Sequence, residues 1–203
     1  MARDNSGQEE KMQQILQATL EVISRETISG TRMHLIAKEA GMSQSILHYY
    51  FASKKDILVR LMQDLKREFN IKRTQDVDAK RHSLSQNLEG FLKQKKDIIA
   101  HQRKMDVAQF DFFVQSLVDE ELKVVFRDFF QAWYDEIHEV ICLADLPQAN
   151  KDKLAKTVPR MLISLMMGAS MQYLIWDGEL FDLDEYFSQT EEMLLDYLNK
   201  VLA

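Results

Sequence analysis

The sequence predicts an all-α fold of about nine helices, with a small N-terminal three-helix domain joined to a larger helical one. Three observations carry this. Apolar residues recur at spacings of three and four along most of the chain, no run alternates apolar with polar, and only two prolines and six glycines punctuate 203 residues. A chain of this length can bury a sizeable core.

The first helix is expected over about Gln8 to Arg25, where Met12, Ile15, Leu16, Thr19, Leu20 and Ile23 form one stripe. The polar residues before it are expected to be disordered. The stretch Thr31 to Phe51 then fits two short helices crossing at a tight turn. Met33, Ile36, Ala37 and Ala40 sit at helical spacing with Thr31 as candidate N-cap, so Arg32 to Ala40 reads as one helix. Gly41 supplies the left-handed residue that stops it, and Ser43 can cap a second helix running to about Tyr50. A joint of about three residues is that of a helix-turn-helix. Ile36, Ala40, Met42, Leu47 and Tyr50 would face a shared core, which leaves Gln44, Ser45, His48 and Tyr49 outward.

Ser53 can cap a further helix whose first turn holds Lys54 and Lys55. Cations at a helix N-terminus oppose its dipole at about 0.3 kcal/mol or more, unless an anion such as a DNA phosphate lies nearby. This helix, Ser53 to about Arg73, carries Ile57, Leu58, Leu61, Met62, Leu65 and Phe69 on one face and would connect the two domains. Polar residues from Thr74 to His82 mark its end.

Thr31, Ile36-Ala37, Glu39 to Ser43, Leu47 to Phe51 and Lys54 to Leu58 together resemble the N-terminal domain of TetR/AcrR-type transcriptional regulators. The match extends over roughly Lys11 to Leu61. By that resemblance the recognition helix is Ser43 to Tyr49, with Thr31, Tyr49 and Lys54 as phosphate anchors and Gln44 and Ser45 near base edges. The DNA-binding candidates are Thr31, Arg32, Ser43, Gln44, Ser45, His48, Tyr49 and Lys54. Where family members often carry lysine, glycine and tyrosine, this chain has Gln44, Ser45 and His48. The expected division is a helix-turn-helix domain over 8–52 and a regulatory domain over 53–203, with 53–73 connecting and 151–202 dimerising.

Further helices are expected over about Leu84 to His101, Arg103 to Leu117 and Asp119 to Leu143, after which Pro147 and Gln148-Ala149-Asn150 interrupt. Aromatic residues crowd this region. Such a stripe reads as core or as the wall of a cavity for a small apolar or aromatic molecule. Phe110, Phe113, Phe130, Trp133, Met166, Met167 and Tyr173 are the ligand-binding candidates.

The last two helices, about Lys151 to Trp176 and Leu183 to Leu202, are the longest amphipathic pair, with Pro159 inside the first and Asp177-Gly178 as the turn between them. They complete a monomer core or, as the resemblance implies, pair with the same helices of a second subunit in a four-helix bundle. Met161, Leu165, Ala169, Met193, Leu194, Tyr197 and Leu198 are the candidate interface residues.

The formal net charge of −6 is unevenly placed: residues 1 to 55 hold seven Lys/Arg against six Asp/Glu, so the acidic excess lies elsewhere. No apolar run approaches the roughly 20 residues of a membrane span, and the N-terminus is too polar for a secretion signal, so a cytoplasmic address without membrane partners is expected. The single cysteine, Cys142, allows no intrachain disulfide. Glycine-rich phosphate loops and G-x-S-x-G are absent, so no enzyme activity and no cofactor are expected. His138-Glu139-Val140-Ile141-Cys142 places two ligand types on one helical face, but without a third it reads as buried packing. The expected function is a ligand-responsive regulator, a repressor binding a palindromic double-stranded operator as a homodimer and released by a small molecule. The alternative is a helical ligand- or partner-binding protein that does not bind DNA.

Overall fold

A computed structural model describes residues 2–176 and 179–202. Nine helices and no strand are found among them: α1 (Ala2–Gly30), α2 (Met33–Glu39), α3 (Gln44–Tyr50), α4 (Lys54–Asp76), α5 (Leu84–His101), α6 (Arg103–Ser116), α7 (Glu120–Leu143), α8 (Gln148–Trp176) and α9 (Leu183–Leu202). No described helix is long and apolar enough to cross a membrane. The chain forms two compact units, one of residues 1–66 with 104–127 and the other of residues 67–103 with 128–203. Sequence reading divides the chain at 52/53, whereas compactness gathers α6 and the first turns of α7 with the N-terminal helices. The reason is visible in α6, whose Asp111, Gln115 and Lys104 bond to Ile28, Ser29 and Glu21 of α1.

In the first unit, α1 supplies the long apolar stripe, with Ile15, Leu16, Val22 and Ile23 buried. It begins earlier than expected, and the N-terminal residues from Ala2 are helical rather than a disordered tail. Gln13 donates to Asp64, and Arg60 pairs with Glu9, so α4 supports this early turn of α1. The helix breaks at Thr27, the one non-glycine residue with positive φ among those described (φ 60, ψ 169). Backbone there lies outside the usual regions for a β-branched residue.

The second unit is built on a core of Leu88, Phe91, Ile137, Ile141, Leu154, Leu162 and Met166, drawn from α5, α7 and α8, to which α9 adds Phe187 and Leu198. Two boundaries differ from expectation. Asn150 and Lys151 amides donate to the Pro147 carbonyl, so Gln148-Ala149-Asn150 form the first turn of α8 rather than an interruption. Helix α4 persists to Asp76, with the Thr74 hydroxyl donating back to the Ile71 carbonyl. Beside that end, Gly90 of α5 is the residue that permits close approach: a Cβ there would stand 2.7 Å from the Asp76 carbonyl oxygen. Helix α8 remains a single helix through Pro159. The expected turn at Asp177-Gly178 lies outside the described residues.

Candidate nucleic-acid interface

The helix-turn-helix forms as the glycine and serine spacing requires. Helix α2 ends on Ala40, Gly41 takes φ 63, and two bonds close the joint: Met42 N–H to the Ala37 carbonyl (2.9 Å) and Gly41 N–H to the Lys38 carbonyl (3.1 Å). This pair is the Schellman closure, which satisfies carbonyls that the helix end would otherwise orphan. Ser43 then caps α3, its hydroxyl accepting from Ile46 N–H at 3.2 Å. Helix α1 holds the pair in place through Gln14, which donates to the Ala40 carbonyl (2.6 Å), and through the Arg25–Glu39 ion pair (2.6 Å).

This closure decides which face of α3 meets solvent. Leu47 is fully buried, whereas Gln44, Ser45, His48 and Tyr49 are exposed, Tyr49 by 74%. Arg32 is exposed as well, at the N-cap of α2. Ile46, which lies among these polar residues, is 47% exposed. Sequence reading missed it because an isoleucine on a short amphipathic helix is ordinarily assigned to the core; the signal available was its position one residue before Leu47, which already fills that role. An exposed apolar side chain beside Gln44 and Ser45 suits the methyl group of thymine in a major groove.

Three expectations change. Thr31 does not cap α2: it is fully buried, and its hydroxyl donates to the Thr27 carbonyl at 2.7 Å. The cap position is Arg32, which makes no side-chain cap bond, because its guanidinium turns back to the Ser29 and Thr31 carbonyls. Lys54, expected to await a phosphate, donates to the Ile28 carbonyl (2.9 Å) and the Thr31 carbonyl (3.2 Å). Lys55 pairs with Asp119 and Glu121 at 2.8 and 3.4 Å, and that hydrogen bond holds the Asp119 carboxyl below its usual range. The cationic first turn of α4 is thus compensated from within the protein. Ser53 caps α4 as expected, exchanging bonds with Asp56.

The ligand-binding candidates are divided between the two units. Phe110 and Phe113 belong to the first unit, where Phe113 is exposed and packs on Phe126 at 6.1 Å. Phe130, Trp133, Met166, Met167 and Tyr173 belong to the second, and Met166 is fully buried in its core. In that unit Tyr173 lines one cleft, of about 660 Å³, while another, of about 500 Å³, is lined by Arg73, Phe91, Glu136, Glu139 and Val140 among others. Aromatic content alone did not separate wall from core. Of the interface candidates, Met161 and Met193 are exposed, and Leu165, Leu194 and Tyr197 are half-buried. Ala169 and Leu198 lie inside the unit's own core and are unavailable to a partner. Cys142 is exposed with its sulfur 3.6 Å from His138, because Ile137, Val140 and Ile141 take the inner face of α7; the buried role expected for it is not found.

A glycine-closed helix pair with a capped, solvent-facing second helix is a helix-turn-helix. Residues 15–61 match the family model described as bacterial regulatory proteins, tetR family. That match takes in most of α1, the helix-turn-helix and the first turns of α4. Over 66 residues the chain is 33% identical to the HTH-type transcriptional regulator BetI of Vibrio vulnificus, a match spanning 32% of this chain and 33% of that relative. The aligned segment is thus about a third of the curated relative's length. Whole-chain similarity is structural: a regulator from Saccharomonospora viridis solved in complex with choline aligns with TM-score 0.75 at 21% identity, covering 93% of this chain and 96% of that one. The regulator FadR of Bacillus subtilis, solved with stearoyl-CoA, aligns with TM-score 0.75 at 17% identity, covering 90% and 96%. These likenesses establish a shared fold.

Proposed function

We propose that the chain is a cytoplasmic, ligand-responsive transcriptional regulator, a repressor that binds a palindromic operator as a homodimer and is released by a small molecule. The observation that carries this reading is the outward face of α3, where Gln44, Ser45, His48 and Tyr49 stand in solvent on a helix whose start and inner face are fixed by Gly41, Ser43 and Leu47. Glutamine pairs with adenine through two hydrogen bonds, and serine reaches either kind of base edge. Arg32, His48 and Tyr49 are the exposed candidates for phosphate contacts.

Homodimerisation is supported by exposed Met161 on α8 and Met193 on α9, with open space beside Gly168 of α8. Relatives in this fold are solved with ligands as different as choline and stearoyl-CoA, which supports an effector role for the second unit without naming the effector.

Selection from a random duplex library, followed by anisotropy titration at several salt concentrations, tests the reading. A palindromic consensus with half-sites about 34 to 36 Å apart, or a multiple of that, is expected. Affinity should fall steeply with salt. Failure to enrich any duplex would leave a helical binding protein without DNA binding.

A further inference from the structure

The most unusual group in the second unit is Arg73. Its side chain is 8% exposed, its Nε donates to Gln94 Oε1 at 3.0 Å, and Gln94 in turn donates to the Phe69 carbonyl at 2.9 Å. The guanidinium lies 5.1 Å from the ring centre of Phe91 and 5.9 Å from that of Trp133. Burial lowers its pKa to about 10, so it is still charged at neutral pH. A cation fixed in this way needs an anion, since a buried charge without a counterion is strongly unfavourable. Glu136 of α7 supplies it.

The two partners are unequal. Arg73 is held on several sides and its side chain is only 8% exposed, whereas the Glu136 side chain is 27% exposed, and both line the open cleft of about 500 Å³. Glu136 can therefore swing into solvent and remain hydrated, while Arg73 stays and demands another acceptor. Trp133 Nε1, beside the guanidinium, is a buried donor with no hydrogen-bond partner. Phe91, Val77, Val140 and Leu143 add apolar wall. Of the other charged lining residues, Asp78 pairs with Arg81, and Lys80 is opposite in sign to Glu139.

We propose that this cleft binds a small organic acid with an apolar tail, whose carboxylate replaces Glu136 as the counterion of Arg73. The site is closed by its own carboxylate until that ligand competes. Exchange releases α7, through Glu136, from the last turns of α4, and this regulatory consequence rests on the ligand-responsive reading above. No covalent step is involved.

The test uses the full chain with Trp176→Phe, so that Trp133 is the one indole reporter, and sodium octanoate as probe, with 1-octanol and octylammonium as controls. Octanoate should change Trp133 emission saturably and bind at least about tenfold more tightly than either control. Glu136→Gln should tighten octanoate by about tenfold or more, because an internal competitor that leaves the site open only about 10% of the time weakens apparent affinity by that factor. Arg73→Gln should abolish the preference for the acid, and where that variant does not fold the Glu136→Gln comparison decides. Equal binding of octanol and octanoate, an octanoate affinity unchanged by Glu136→Gln, or no saturable octanoate signal each overturns the site and leaves the DNA-binding reading standing. Binding with the expected pattern but no change in operator affinity upholds the site and overturns its role as the effector switch.

Discussion

Lys54 and Asp111, from α4 and α6, hold the same residue, Ile28, from opposite sides of its backbone. Lys54 Nζ donates to the Ile28 carbonyl at 2.9 Å, and the Asp111 carboxylate accepts from the Ile28 amide. The Ile28 side chain is itself buried. Burial pushes the Lys54 ammonium below its ordinary pKa, repulsion from Arg32 adds to that, and Asp111 opposes it. The chain leaving α1 is thereby fixed before it enters the helix-turn-helix, so these two side chains set the approach of α2 and α3.

Removing either partner should loosen that joint. Asp111→Ala leaves the Ile28 amide without its acceptor and is expected to cost about 1 to 3 kcal/mol; Lys54→Met should cost a similar amount. Since both act on one residue, the double variant should lose less than the sum. Urea unfolding gives the comparison. Strict additivity would show that the two contacts are independent.

Thr27 stores strain at the same joint, with φ 60 on a β-branched residue. Such backbone costs on the order of 1 to 3 kcal/mol. Glycine adopts it freely but loses roughly 0.5 to 1 kcal/mol more conformational entropy on folding. Thr27→Gly is therefore expected to stabilise by about 1 kcal/mol, whereas Thr27→Ala keeps the strained φ. The measurement is the difference in urea midpoint between the two variants. Glycine no more stable than alanine would mean that the backbone there is relaxed.

The contrast between Ser43 and Thr31 shows where sequence reading succeeds. Gly41, Ser43 and Ser53 were legible because capping and left-handed turns are local, decided within a few residues of chain. Thr31 sits at an equally plausible cap position, yet its hydroxyl is claimed by Thr27 across a break that no local pattern announces. Lys54 and Lys55 illustrate the same limit for charge. Their partners are 23 to 66 residues away in sequence, so two free cations were read where the fold supplies two carbonyls and two carboxylates. In the second unit, helix positions followed from periodicity, but Arg73 was passed over. A lone arginine near the polar end of a long helix gives no hint that Phe91 and Trp133 will enclose it.

Base reading and backbone anchoring should separate by mutation. Gln44→Ala is expected to relax preference at one position of the half-site by about 1 to 3 kcal/mol, leaving binding to duplexes already substituted there nearly unchanged. Tyr49→Phe and Arg32→Ala should weaken all duplexes alike. Arg32→Ala should also reduce the salt slope by about one. Uniform losses for Gln44→Ala would remove it from the base-reading set.

The proposed subunit seam is best probed at exposed positions. Met161→Glu with Met193→Glu places charges on surfaces that are 50% and 57% exposed in one chain, so folding of the protomer should be retained while association fails. Leu198→Glu is a poor probe, since that side chain is 4% exposed and belongs to the protomer core. Light scattering with circular dichroism distinguishes the cases. A dimeric double variant with native helicity would place the seam elsewhere.

Glu89 of α5 offers a prediction in pH. Burial raises its carboxyl above the usual value of 4.5, and Glu191 of α9 raises it further. A raised pKa means the folded state binds the proton more tightly than the unfolded state. Its contribution is therefore most favourable below about 4.5 and is lost as pH rises through the folded value, leaving a penalty at neutral pH. Glu89→Gln removes that titration while keeping the shape. At pH 7 the variant should melt at a higher temperature than the parent, and at pH 4 the two should converge. Carboxyls with depressed values, such as Glu21 beside Lys104 and Asp119 beside Lys55, destabilise both proteins alike as pH falls, so they cancel from the difference. A gap that is the same at both pH values would assign the effect to packing and show that Glu89 ionises freely.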